Sequence, residues 1–177
     1  MKLKAGDDIV SFSSIDTMGN NVSTDDYRGK KFMISFFRYA ECLFCNLRMH
    51  ELIKKFPELE KEGLSIIAIF QSPAEDIDSN IGKLNPPFPL IPNLDRSLYK
   101  QYSVTIRNPL GLYKGYMQWG KALHAFSKGH FIKVGKGSRS LIPADFLINE
   151  DHTIHTAFYG TDITEHVPMR QIQDFLK

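Results

Sequence analysis

The sequence predicts one α/β domain organised around a central mixed sheet flanked by helices. Three observations carry that prediction. Lys31-Phe32-Met33-Ile34-Ser35-Phe36-Phe37 and Leu64-Ser65-Ile66-Ile67-Ala68-Ile69-Phe70 are short, nearly continuous apolar runs, the pattern of strands buried on both faces. Between them Met49, Leu52, Ile53 and Phe56 fall on one helical face, and Glu62-Gly63 ends the pattern. Strand, helix and strand in that order form a parallel pair with a right-handed crossover. Near the end, Asp145–Asn149 and Thr153–Tyr159 read as strands joined by the turn Asn149-Glu150-Asp151-His152, an antiparallel hairpin.

The remaining elements follow in order. Ile9–Ile15 alternates, Met18-Gly19-Asn20-Asn21 turns and Asn21-Val22-Ser23 returns, which predicts an N-terminal β-hairpin. Pro57 interrupts the long helical stretch, so a kink or a restart is expected there. Ser72-Pro73-Ala74-Glu75-Asp76 has the form of a helix start, and Asn85-Pro86-Pro87-Phe88-Pro89 that of a stiff extended loop. Asp95 is expected to cap a short helix through Tyr102, and Thr161 or Asp162 a last helix from Ile163 to Leu176.

At 177 residues with 42% hydrophobic content, the chain is of a size to bury one core. Lys31 and Arg38 bracket the longest apolar run near the centre, which is too short to span a bilayer. The start, Met1-Lys2-Leu3-Lys4-Ala5-Gly6-Asp7-Asp8, lacks the apolar core of a secretion signal. A reducing cytosol is therefore the expected compartment, with cysteines resting as thiols.

Cys42-Leu43-Phe44-Cys45 contains both cysteines of the chain, spaced to meet across the first turn of a helix where a buried strand hands over to it. A chain that keeps cysteine only for such a pair points to redox chemistry. Cys42, at the helix start, faces unpaired N–H groups and the positive end of the helix dipole, both of which favour the thiolate. That makes Cys42 the expected nucleophile and Cys45, one turn inside, the thiol that resolves a mixed disulfide. A structural disulfide would close a very short loop and stabilise little. A zinc site would need four ligands, and only His50 lies nearby, the other histidines being scattered. Arg38, four residues ahead of Cys42, either lowers the thiolate pKa or touches an oxidised substrate, with a salt bridge to Glu41 or another carboxylate as the competing role. No metal, flavin or other cofactor is required by this chemistry.

One segment departs from the rest. From Arg96 through Ala144 there is no Asp or Glu, whereas Lys and Arg occur nine times, so the net charge of +2 conceals a basic stretch. Within it Tyr116, Trp119, Leu123 and Phe126 fall at helical spacing, which predicts an amphipathic helix in an insertion at about 106–140. Four roles stay open for its apolar face: packing on the parent domain, a homodimer contact, a lid over the cysteines, or a surface for an acidic partner or anionic lipid. Nothing in the sequence calls for nucleic acid as a partner.

Several segments together resemble a known superfamily. They are Ala5-Gly6-Asp7, Asp16-Thr17-Met18-Gly19-Asn20, Tyr27-Arg28-Gly29-Lys30, the Cys-x-x-Cys, and Ile142-Pro143-Ala144-Asp145-Phe146-Leu147-Ile148-Asn149. The combination is similar to the thioredoxin-fold peroxiredoxin-like proteins, the alkyl hydroperoxide reductase/thiol-specific antioxidant family. Phe37–Asn46 with Tyr159-Gly160-Thr161-Asp162-Ile163 resembles its bacterial branch that carries Cys-x-x-Cys. The resemblance implies a thioredoxin-like fold of the peroxiredoxin type in a single domain, with only the basic insertion outside it. It also implies a cis bond before Pro143, whose backbone would hold a substrate chain against Cys42.

Departures accompany the likeness. Three residues before the reactive cysteine, where typical members place a threonine, this chain has Tyr39 if that cysteine is Cys42, or Cys42 itself if it is Cys45; Pro143 stands where they carry an arginine. Arg38, or more weakly Arg139, is the available replacement for the missing positive charge. Leu43-Phe44 replaces the glycine-proline pair of thioredoxins. The expected function is a thiol-dependent oxidoreductase in which Cys42 attacks a peroxide or a disulfide, Cys45 closes the internal disulfide, and an external dithiol of the thioredoxin type reduces it. The alternatives are a protein-disulfide reductase without peroxidase activity and a non-catalytic thioredoxin-fold binding protein with a redox-sensitive latch.

Overall fold

The computed structural model describes residues 1–104 and 141–177. The basic insertion expected at about 106–140 lies outside the described residues, as does Arg139. The chain opens on a hairpin in which β1 (Ser13–Ile15) pairs antiparallel with β2 (Asn21–Ser23). Asp16 builds the turn, its Oδ1 accepting from the N–H groups of Met18 and Asn20, and Gly19 supplies a φ of 86° that side chains disfavour.

β3 (Lys31–Phe36) and β4 (Leu64–Phe70) run parallel, connected by α1 (Leu43–Lys61). β5 (Leu90–Pro92) adds in parallel outside β4. On the other side β6 (Ala144–Ile148) pairs antiparallel with β3 and then with β7 (Ile154–Tyr159), giving the order β5-β4-β3-β6-β7. The central mixed sheet, the flanking helices and the N-terminal hairpin are those the sequence predicts.

The pleat sorts this apolar sheet into two cores. Phe32, Ile34, Phe36, Ile67, Ile69 and Phe146 turn to one face, where Leu98, Tyr99 and Tyr102 of α3 (Ser97–Gln101) and its end cover them. Met33, Phe37, Ile66, Ala68, Phe70 and Leu147 turn to the other. There they meet Met49, Leu52, Phe56 and Leu59 of α1, Ile77 of α2 (Ala74–Asn80), and Ile172 and Phe175 of α4 (Met169–Leu176). Each fully buried aliphatic or aromatic side chain contributes roughly 1.5–3 kcal/mol. With contacts on both faces, β3 is held firmly enough to position whatever follows it.

Three local expectations need correction. Pro57 does not restart the helix, because α1 is continuous from Leu43 to Lys61. Pro57 lies on the exposed face, while buried Phe56 and Leu59 on either side keep the helix packed. The last helix begins at Met169 rather than Ile163. Pro168 stands at its start and biases Val167 away from helix, and Asp162 instead caps a local turn through the N–H of Thr164. Asp95 does accept from the Ser97 N–H, but α3 ends at Gln101, with Tyr102 just past it.

A further correction concerns Pro143. No cis peptide bond occurs among the described residues, so the Ile142–Pro143 bond is trans. Gly160 donates its N–H to the Pro143 carbonyl at 3.0 Å, which extends the β6–β7 ladder by one step. The close approach depends on glycine. A Cβ at Gly160 would stand 2.7 Å from the Glu165 carbonyl and 3.1 Å from both Ile142 Cγ2 and the Pro143 carbonyl. Gly160→Ala is therefore expected to destabilise the fold by about 1–3 kcal/mol, read as a lower urea midpoint at unchanged slope.

Candidate active site

β3 ends at Phe36, and the chain crosses the edge of the sheet through Phe37 and Arg38 before α1 begins. Phe37 is wedged against Phe70, ring centroids 4.7 Å apart and nearly parallel. The next side chain, Arg38, is only 1% exposed. Its guanidinium lies over the Tyr39 ring at 5.2 Å and donates from Nη1 to the Cys42 sulfur at 3.2 Å.

Cys42 is the N-cap residue of α1, and both cysteines are free thiols beneath the surface, 3% and 1% exposed. The connection between Arg38 and α1 is tied down on all sides. Cys42 N–H bonds to the Tyr39 carbonyl, and Ala40 N–H donates to Ser72 Oγ at 3.0 Å. Asn46 donates from its amide nitrogen to the carbonyls of Ala40 and Cys42 at 2.8 and 2.9 Å. Asn46 and Ser72 escape sequence reasoning because a polar side chain that serves one particular carbonyl or N–H leaves no periodic signal.

This environment separates the two thiols. Cys42 is lowered to about 6 by the hydrogen bond from Cys45, by the Arg38 charge and by the N–H groups of Cys45 and Phe44, against the effect of burial. Cys45 moves the other way, well above the ordinary thiol range, through burial and through its neighbour's negative charge. For Arg38, burial opposes the charged form, but the Cys42 anion prevails and its pKa is raised. The pair therefore divides into an anion at Cys42 and a protonated thiol at Cys45, which favours the first as the attacking sulfur.

Pro143 stands at the same end of the sheet, since Ala144 lies opposite Phe36 in the β3–β6 ladder. One residue further along β6, Asp145 is fully buried and forms a second polar cluster. Its carboxylate accepts from the Ser35 hydroxyl and from Val167 N–H at 2.7 Å, and lies 3.0 Å from His166 Nδ1. Burial would raise Asp145, but His166, Arg48 and Ser35 together hold it below the usual carboxylate range. Arg48, one turn beyond Cys45, donates to the Val167 carbonyl at 2.8 Å, so the Val167 peptide is gripped from both sides. His166 also packs on Phe37 at 4.9 Å between centroids. It is thus joined to the segment carrying Arg38, whereas the sequence offers only a scattered histidine.

A family model described as the AhpC/TSA family matches residues 5–157. The chain belongs to the AhpC/TSA family. Among its relatives, a putative peroxiredoxin of Mycobacterium tuberculosis is 25% identical over 94% of this chain and 91% of its own length. Peroxiredoxin Bcp of Escherichia coli K12 is 28% identical over 58% of this chain and 65% of its own. Two solved structures share the fold: a mutant of PrxQ from Xylella fastidiosa, with TM-score 0.71 and 16% identity, and peroxidoxin BcpB from Mycobacterium tuberculosis, with 0.70 and 14%. The first covers 99% of this chain and 94% of its own, the second 98% and 96%. The thioredoxin domain of a thiol-disulfide oxidoreductase from Bacteroides vulgatus superposes less closely, at 0.59 with 18% identity, covering 99% of this chain and all of its own. This AhpC/TSA chain is accordingly a thiol-dependent oxidoreductase of the peroxiredoxin-like type.

The electrostatics give a pH dependence with a definite sign. Cys42 is expected to alkylate as a thiolate with a midpoint near pH 6, followed by mass spectrometry of the modified peptide. Arg38→Met removes the charge that favours the anion, so the midpoint should rise by about 1–2 units toward the ~8.5 of a free thiol. An unchanged midpoint in that variant would mean that Arg38 plays no part in ionising Cys42.

Proposed function

We propose that the protein reduces small hydroperoxides, with Cys42 as nucleophile, Arg38 as the group that ionises it and orients the peroxide, and Cys45 as resolving thiol. The observation that carries this reading is the Cys42 sulfur with an arginine Nη1 at 3.2 Å, set 97% out of solvent contact. A protein disulfide must align its S–S bond with the attacking sulfur, which needs an exposed nucleophile; a hydroperoxide brings only two oxygens to the sulfur. The trans bond at Pro143 also removes the feature expected to hold a disulfide substrate.

Chemically, the Cys42 thiolate attacks the terminal peroxide oxygen; an S–O bond forms, the O–O bond breaks, and the departing alkoxide takes up a proton. Arg38 stands where it can stabilise the developing negative charge. Cys45 then attacks the Cys42 sulfenic acid, forming the S–S bond and releasing water. Two thiols and one hydroperoxide thereby give a disulfide, an alcohol and water. An external dithiol returns the two electrons by exchange, and a thioredoxin-type protein is the partner proposed for that step. Among the described residues no helix is long and apolar enough to cross a membrane. A reducing cytosol, which keeps both thiols ready, is the compartment this cycle fits. Pro143 would shape the wall of the site, and residues 106–140 would form an insertion in the single domain, a homodimer contact being one role for it.

Peroxide turnover with a thioredoxin-type donor, measured beside insulin-disulfide reduction, tests the reading. Peroxide should turn over while insulin reduction stays at background. Cys42→Ser should abolish turnover, whereas Cys45→Ser should react once and accumulate a sulfenic acid at Cys42. Efficient insulin reduction without peroxide turnover would replace this reading with that of a disulfide reductase.

A further inference from the structure

The parallel ladder between β3 and β4 slips by one residue where it reaches the site. In a regular ladder, Phe37, whose N–H bonds to the Ile69 carbonyl at 2.8 Å, would accept the Gln71 N–H on its own carbonyl. Instead the Gln71 N–H goes on to the Arg38 carbonyl, at 2.8 Å. The slip draws Arg38 into the end of the sheet and takes the Phe37 carbonyl out of the ladder. A buried carbonyl left without a donor would be costly.

The donor comes from the other face. Tyr99, on α3 and 1% exposed, packs its ring edge-on against Phe36 at 5.0 Å. Its hydroxyl reaches the sheet edge, 2.6 Å from the Phe37 carbonyl and 3.0 Å from the Ile69 carbonyl. One side chain thus satisfies the carbonyl released by the slip and spans the two strands where they part. The bulge that aims Arg38 depends on a residue more than sixty positions away in sequence.

We propose that Tyr99 is a positioning residue for the reaction: its hydroxyl holds the slipped junction of Phe37 and Ile69, and thereby keeps the Arg38 guanidinium on the Cys42 sulfur. The proposal rests on the reading of Arg38 given above. Without the hydroxyl the Phe37 carbonyl has to recover a donor, and the N–H that a regular ladder would give it is that of Gln71. Returning that bond to Phe37 releases the Arg38 backbone. The guanidinium then moves relative to Cys42, and the thiolate loses part of its support.

Tyr99→Phe keeps the ring against Phe36 and removes only the hydroxyl. Tyr102→Phe is the matched control, because its hydroxyl bonds the Val10 carbonyl at 2.7 Å, on the N-terminal segment. Both variants should melt at lower temperature. Only Tyr99→Phe should raise the alkylation midpoint of Cys42, by about one unit, or roughly tenfold in thiolate below the midpoint. Its rate with hydrogen peroxide should fall about fivefold or more at pH 6, and by less above pH 9, where every Cys42 is ionised and only the displacement of Arg38 from the peroxide still counts. In an Arg38→Met background, Tyr99→Phe should add no further shift.

A wild-type midpoint in Tyr99→Phe, with Arg38→Met shifted, would overturn the proposal while leaving the role of Arg38 intact. A wild-type midpoint in Arg38→Met itself would overturn both. If Tyr99→Phe does not fold, Tyr99→His, which keeps a ring with a polar edge, is read the same way. An upward shift supports the proposal, and a folded protein with a wild-type midpoint overturns it.

Discussion

A buried guanidinium beside a buried sulfur is the constraint on which the rest of the site depends. Neither charge would be tolerated alone under the surface, where an unpaired ion costs several kcal/mol and would be neutralised by a shift in pKa. The hydrogen bond from Cys45 gives the Cys42 anion its largest support, and the guanidinium at 3.2 Å adds its charge to it. The pairing is therefore conditional on geometry. If Arg38 moves by a few ångströms, Cys42 returns toward an ordinary thiol.

That sensitivity explains why so much of the fold converges on a short connection. From one face, Phe70 and His166 enclose Phe37 and the Asp145 cluster fixes the Val167 loop; from the other, Tyr99 bridges the parting strands. Below, Asn46 and Ser72 hold the turn that leads into α1. The Asp145 cluster is itself a buried charge that persists only through its partners, so its contribution to stability is present above about pH 4, the unfolded carboxylate value. It is lost as the pH falls through the lower value that Asp145 has in the fold.

The fold was legible in the sequence wherever side chains repeat with a period. The apolar runs Lys31–Phe37 and Leu64–Phe70, the helical stripe from Met49 to Phe56 and the closing hairpin each announce their element. Boundaries set by single residues are less legible: Pro57 suggests a kink or a restart in a helix that runs on unbroken, packed through Phe56 and Leu59, and Pro168 precedes a last helix that starts at Met169, six residues after the expected Ile163. The spacing of Cys42 and Cys45, and Arg38 one strand-exit earlier, could be seen because they lie close together along the chain. Tyr99, Asp145 and His166 could not, because they reach the site through the strand order and through a one-residue slip that no local pattern encodes. The cis bond expected at Pro143 came from resemblance alone, and the Ile142–Pro143 bond is trans.

In the proposed cycle the Arg38-supported thiolate is the species that meets peroxide. Stopped-flow measurement of the single-turnover reaction of the fully reduced protein with hydrogen peroxide, across pH 4 to 9, tests it most directly. The predicted result is a rate that rises with a midpoint near 6, matching the ionisation of Cys42. A rate that keeps rising through the ~8.5 of an ordinary thiol, or that stays at the level of a free thiol throughout, would contradict it.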